Sequence, residues 1–488
     1  MNEDLEATAA AALASRLVVG LAGPEPTPAE WAWLARYRPA GVILFGRNVT
    51  GPAQAQSLCA RLRALVPGLE VMVDHEGGPV AQMAAAAGRP PAAWALGALD
   101  DVELTREVCR ETGARLALLG VTRVLGPVAD VLEHPRNPVI GARAFGGDAS
   151  LCARHVAAAV RGYRQAGLNV CVKHWPGHGG TATDSHLSLE AQLVSGCREP
   201  FVAGLAAGAD AVMVGHLPVA ASDGGASLPA TLDAGYLAGA RAALSAGGGP
   251  PLLVADDVTM GALRLPMKQA GVPDPDGLEG GLVDPGLLPA AGLQALVTAG
   301  CDLLLIRGIP WRALPAGDDA AAPAAVPGMV APEGLDALTD EALTVEAPAW
   351  RAARARLWAV AAAGWADPDL DLGWIDATTG DRWGAADARS GAAFTARLGR
   401  LFAAVRHVDG DPAGAGFRPV RLLVTSHRPL ALTALATLHP APSGVAVAMG
   451  HPSLAGDLTR FLGPGWRVGQ VFDCDVADLE PESTGPVQ

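Results

Sequence analysis

The sequence predicts an α/β chain: residues 1–310 close into a (β/α)8 barrel, and a smaller C-terminal α/β domain follows. Three observations carry this. Eight short runs are apolar on both faces, and Ala- and Arg-rich amphipathic segments separate most of them, the pattern of buried parallel strands joined by helices. Polar residues come directly after the runs, and barrel enzymes collect their chemistry on that C-terminal rim. The length, 488 residues, exceeds what a single core usually fills and fits one barrel plus a partner domain. A doubly wound sheet shows the same alternation; the placement of the polar residues favours the barrel.

After a short Ala-rich helix the strands are expected at 16–21, 41–45, 70–73, 121–124, 169–172, 211–214, 252–255 and 303–306. Helices are expected at 52–66, 101–118, 151–166 and 200–207. The rim residues that follow the strands are Arg47-Asn48, Asp74-His75-Glu76, Asp130, Lys173-His174, His216, Asp256-Asp257 and Arg307. Residues 264–291, rich in Gly, Pro and Asp, read as a surface insertion in the seventh unit. Residues 311–342 are Pro/Ala/Gly-rich and read as a linker. A helical pattern then opens the region 343–488, in which 420–425, 444–449 and 466–472 read as strands.

Composition narrows the function classes. A net charge of −14 argues against nucleic acid or an anionic membrane surface as partner. No apolar run approaches the roughly 20 residues that span a bilayer. The acidic N-terminus lacks the order of a secretory signal, so the cytoplasm is the expected location. The seven cysteines form no C-x-x-C pair, which speaks against a disulfide framework or a zinc knuckle. Lysine occurs only at 173 and 268, and Lys173 stands inside the stretch densest in titratable groups.

That stretch, KHWPGHGGTATDSH over 173–186, reads as a catalytic loop behind the fifth strand. Asp184 and His186 lie two apart, so the carboxylate can orient the imidazole for proton transfer near neutral pH. The bland alternative is a loop tied by its own hydrogen bonds. A metal site built from His174, His178 and His186 is disfavoured, since no known ligand spacing supports it. The second stretch is VADDVTM, 254–260, where a rim carboxylate can act as nucleophile on an anomeric carbon. The competing role for one of the two aspartates is to cap the next turn. In the third, VDHEGGPV, Asp74 follows the strand and can accept hydrogen bonds from sugar hydroxyls; the competing reading is an ordinary strand-to-helix turn.

Together with GVILFGRN (41–48), VIGARAFG (139–146), VMVGHL (212–217) and AGCDLLLI (299–306), these strings resemble the bacterial β-N-acetylhexosaminidase branch of the family 3 glycoside hydrolases. The resemblance implies Asp256 as the nucleophile of a retaining mechanism, His186 as acid/base and Asp184 as its partner. It implies Asp74, Arg143, Lys173 and His174 as substrate-binding residues. The implied substrate is a terminal β-linked N-acetylglucosamine, as in peptidoglycan fragments during wall recycling, with no metal or organic cofactor. Pro79 and Gln82 stand where the family usually has arginines, which bears on sugar preference. A β-glucosidase, β-xylosidase or phosphorylase of the same fold, and a non-catalytic sugar-binding protein, are the competing readings. Nothing in the sequence sets the oligomeric state.

Overall fold

The computed structural model describes residues 2–133, 137, 139–180, 197–219, 228–245, 249–263, 284–285, 288–315, 343, 347–353 and 356, and the backbone of strands at 422–425, 444–449 and 466–471. Eight parallel strands form a closed barrel in chain order: β1 Leu17–Gly20, β2 Gly41–Leu44, β3 Glu70–Val73, β4 Arg123–Val128, β5 Asn169–Trp175, β6 Ala211–Val214, β7 Leu252–Ala255 and β8 Leu303–Ile306. β1 closes the ring by pairing with both β2 and β8.

The strands read apolar on both faces because both faces are buried. Val18, Ile43, Met72, Leu125, Cys171, Met213, Val254 and Leu305, one from each strand, fill the barrel interior. Their strand neighbours, such as Val19, Val42, Val71, Val124, Val170, Val212, Leu253 and Leu304, turn outward into the larger core beneath the helices. This is the alternation a pleated strand imposes.

Helices at Pro52–Leu65, Val102–Leu118, Ala149–Gln165 and Glu199–Ala206 lie within two residues of their expected bounds. Asp101 and Asp148 set two of the starts by accepting from the backbone N–H of Leu104 and Leu151. Pro28–Tyr37, which the sequence reading passed over, carries a full capping box between Thr27 and Glu30.

Two strands run three or more residues past their expected ends, towards the rim residues, while β1 and β2 differ from expectation by one residue at an end. β4 starts two residues later than expected and runs four residues past its expected end, through Gly126-Pro127 to Val128. Its register against β5 shifts between Leu125 and Gly126, and a bulge is where a ladder tolerates proline. β5 continues through Trp175, so Lys173 and His174 stand on the strand and not in the loop. Val128 pairs with Lys173 and Trp175 with Val214, which holds this polar end in the ladder.

Residues 311–315 lie on the barrel, where the Trp33 indole donates to the Leu314 carbonyl at 2.7 Å. Most of the expected insertion and linker lie outside the described residues. Where description resumes, the Trp350 indole is buried on the helix Val102–Leu118, donating to Thr112 Oγ1 at 3.1 Å, with the Arg115 guanidinium over its ring. Farther on, Leu422–Thr425, Gly444–Met449 and Trp466–Val471 form a parallel three-stranded sheet with Gly444–Met449 central.

Candidate active site

The rim of β3, β4 and β5 gathers six polar side chains into one buried cluster. Asp74 follows β3, and a short hairpin, His75–Gly77 with Val80–Ala81, carries Glu76 back over the mouth. Gly77 has φ +100°, and a Cβ there would lie 2.2 Å from the Pro91 carbonyl oxygen, so this turn needs glycine. Arg143 ends the 3-10 turn Gly141–Arg143, Asp130 follows β4, and Lys173 and His174 come from β5.

The contacts run continuously. Lys173 Nζ donates to Asp74 Oδ1 and Glu76 Oε1, each at 2.5 Å. Arg143 grips Glu76 with two parallel bonds, Nε to Oε2 at 2.8 Å and Nη2 to Oε1 at 2.9 Å. Arg143 Nη2 also lies 3.3 Å from His174 Nε2. On the other side of that ring, His174 Nδ1 is 2.7 Å from Asp130 Oδ2, and a carboxylate there fixes the proton on Nδ1. Asp130 further accepts from the His178 backbone N–H at 2.6 Å. Gly179 packs so closely that a Cβ would lie 1.7 Å from the Val131 carbonyl oxygen.

Burial and charge work against each other here, and pairing prevails. The Lys173 side chain is only 2 % exposed. Burial alone depresses its pKa, but Asp74 and then Glu76 outweigh that and leave it raised. Burial pushes the Glu76 carboxyl up, while Arg143 and Lys173 together pull it down to about 2. Asp130 is likewise held below the usual carboxylate range, His174 and His178 overcoming its burial. His178 is brought down to about 4 by burial and then by His174, which keeps it neutral.

Across the same rim, β7 ends in the aspartate pair. Asp257 is drawn inward: its Oδ1 accepts from Thr259 N and Oγ1 at 3.0 and 2.7 Å, and its Oδ2 faces Arg307 Nε at 2.9 Å. His216 donates from Nε2 to the Asp257 carbonyl at 3.1 Å. Asp257 thus takes the turn-holding role that one aspartate was expected to take. Asp256 is the more exposed of the two, and its Oδ1 accepts from the Asp257 backbone N–H at 2.8 Å.

Of the residues singled out by sequence, Asp74, Arg143, Lys173 and His174 meet in one cluster and Asp256 stands on the same rim. Asp184 and His186 lie outside the described residues. Glu76 and Asp130 carry the cluster and were absent from the expected site, although both follow a strand directly, the signal that picked out their neighbours. Gln82 bridges two rim loops: its side-chain Oε1 accepts from Gly46 N at 2.8 Å and its backbone N–H donates to the Asp74 carbonyl at 3.0 Å. Among the described residues no group of three or more His, Cys, Asp or Glu is arranged to hold a metal ion.

Known proteins resemble this chain in sequence and in fold. The β-hexosaminidase of Pseudomonas aeruginosa is 38 % identical over 184 residues, covering 36 % of this chain and 55 % of its own length. That of Xylella fastidiosa is 37 % identical over 214 residues, covering 41 % and 63 %. The matched stretch therefore spans less than two thirds of these relatives. Among solved structures, the β-N-acetylhexosaminidase of Beutenbergia cavernae superposes with a TM-score of 0.52 at 26 % identity, covering 69 % of this chain and 96 % of its own. The family 3 β-N-acetylglucosaminidase of Paenibacillus sp. FPU-7 shares the fold over 94 % of this chain and 89 % of its own, with a TM-score of 0.62 and 23 % identity. The pattern of the glycosyl hydrolase family 3 N-terminal domain matches residues 16–315, more than half of the sequence, and the chain belongs to that family.

Proposed function

We propose that this chain is a retaining glycoside hydrolase that releases terminal, non-reducing β-linked N-acetylhexosamine, N-acetylglucosamine foremost. The observation that carries the reading is the division of labour on one rim. Thr259 and Arg307 hold the Asp257 carboxylate, and Asp256 is the more exposed carboxylate of the pair on this rim. The paired charges of Asp74, Lys173, Glu76 and Arg143 offer fixed donors and an acceptor for sugar hydroxyls.

In this mechanism Asp256 attacks the anomeric carbon while the bond to the aglycone oxygen breaks. His186, oriented by Asp184, gives that oxygen its proton. A covalent glycosyl-enzyme results, and His186, now a base, takes a proton from the water that displaces Asp256. An imidazole in this role avoids placing a second carboxylate beside the nucleophile, where like charges would disturb both. Peptidoglycan-derived muropeptides met in the cytoplasm are the natural substrate class in this reading.

The test is release of p-nitrophenol from the β-N-acetylglucosaminide and from the β-glucoside by wild type, Asp256→Ala and His186→Ala. Turnover of the N-acetyl substrate, lost by several orders of magnitude in both variants, is the expected result. Preference for the glucoside would move the specificity to another branch of the family, in line with Pro79 and Gln82. No turnover of either, with N-acetylglucosamine still raising the melting temperature, would make the protein a binder. Faster turnover in phosphate than in a non-nucleophilic buffer would make it a phosphorylase.

A further inference from the structure

The cluster contains one acid whose oxygens are both spent inside it. Glu76 has a side chain 3 % exposed, against 21 % for Asp74 and 14 % for Arg143. Its Oε2 accepts from Arg143 Nε, and its Oε1 is shared between Arg143 Nη2 and Lys173 Nζ. We propose that Glu76 is a positioning residue, which fixes the Arg143 guanidinium and the Lys173 ammonium as a preset pair of donors for the sugar hydroxyls. The proposal rests on the glycoside-hydrolase reading of this site.

The argument is a count of donors. An ammonium has three N–H bonds. Asp74 and Glu76 take two of those on Lys173, so the third has a single direction left. Arg143 is held along its Nε/Nη2 edge by Glu76, and Nη1 reaches the Val139 carbonyl at 3.2 Å, so the plane of the guanidinium is fixed too. With Glu76 neutral, the two cations that share its Oε1 face each other with no carboxylate between them. Glutamine keeps the shape but cannot keep the contacts. In one amide orientation its NH2 meets Arg143 Nε, and in the other it meets Lys173 Nζ and Arg143 Nη2. Donors held in advance lower the ordering that substrate binding otherwise requires, and that advantage grows if the contacts tighten in the transition state.

The experiment uses the full chain and four substrates: the p-nitrophenyl β-N-acetylglucosaminide and its 3-deoxy, 4-deoxy and 6-deoxy analogues. Glu76→Gln is expected to fold, to raise KM, and to lower kcat/KM on the parent sugar about 10- to 100-fold, the range of a hydrogen bond to a charged group. That factor should shrink towards one on whichever analogue lacks the hydroxyl these donors hold. Glu76→Asp, which keeps the charge on a shorter arm, should recover part of the loss. An unchanged kcat/KM overturns the proposal. So does an equal loss on all four substrates with KM unchanged, which is the mark of a smaller active fraction. If Glu76→Gln does not fold, Glu76→Asp carries the same comparison, and its failure to fold would mark a purely structural ion pair. If the wild type itself turns over none of them, the activity reading fails separately, and calorimetric binding of N-acetylglucosamine and its deoxy analogues then tests Glu76 alone.

Discussion

Asp130→Asn isolates the link between the buried polar cluster and the start of the 173–186 stretch. Asp130 is 1 % exposed and receives the His174 ring N–H at 2.7 Å and the His178 backbone N–H at 2.6 Å, with His174 N at 3.3 Å. Asparagine retains one oxygen, and its NH2 must face a donor. One or two charge-assisted hydrogen bonds are therefore lost, each contributing about 1.5–3 kcal/mol, and we expect a destabilisation of about 2–4 kcal/mol. The His174 ring, no longer held at Nδ1, loses its fixed approach to Arg143, and His178 loses the anchor at the foot of the loop. A misplacement of this kind lowers kcat/KM on the order of 10²-fold. Urea unfolding and steady-state kinetics on the N-acetylglucosaminide measure the two effects. The pH dependence gives a third. A carboxyl held low in the folded state adds stability that is present above its ordinary value of 3.8 and is lost as pH falls through the folded value. The wild type should therefore lose more stability than Asp130→Asn as pH falls below 3.8. A variant that matches the wild type in stability, kinetics and acid response would refute the clamp.

Three further outcomes follow from the same contacts. Trp350→Ala should destabilise the barrel by about 3–5 kcal/mol, since a buried indole and its bond to Thr112 are lost; no change in denaturant midpoint would mean that this docking does not support the barrel. Gly179→Ala forces the backbone away from the Val131 carbonyl, so it should lower kcat at least about 10-fold while the cluster stays intact, and a wild-type kcat would show that the foot of the loop is not rigid. Glu76, held at about 2 against an ordinary 4.5, contributes roughly 3 kcal/mol above pH 4.5 that is lost as pH falls towards 2, and Glu76→Gln should flatten that part of the stability curve measured by thermal melts.

The eight strands were legible because their signal is local. A strand buried on both faces is an apolar run whatever surrounds it, and four of the eight (70–73, 211–214, 252–255 and 303–306) have the bounds read from sequence. The rim position of Asp74, Lys173, His174 and Asp256 was legible for the same reason: each follows or ends such a run. The proton-transfer pair Asp184 and His186 rests on the sequence alone. What the sequence left open depends on partners distant in the chain. Lys173 and His174 look like loop residues until Asp74, 99 residues earlier, and Asp130, 44 residues earlier, satisfy them on the strand. Glu76 gains its place only through Arg143, 67 residues away. Asp256 and Asp257 are chemically identical neighbours, and the one local difference is that Asp257 has Thr259 two residues on to bond its Oδ1. Arg307 from the end of β8 faces the Asp257 carboxylate and His216 from the end of β6 holds its backbone carbonyl, and Asp257 is the more buried of the two. Charge in a buried site is set by whichever groups the fold brings within hydrogen-bonding reach, and closure of the barrel, not spacing along the chain, brings these groups together.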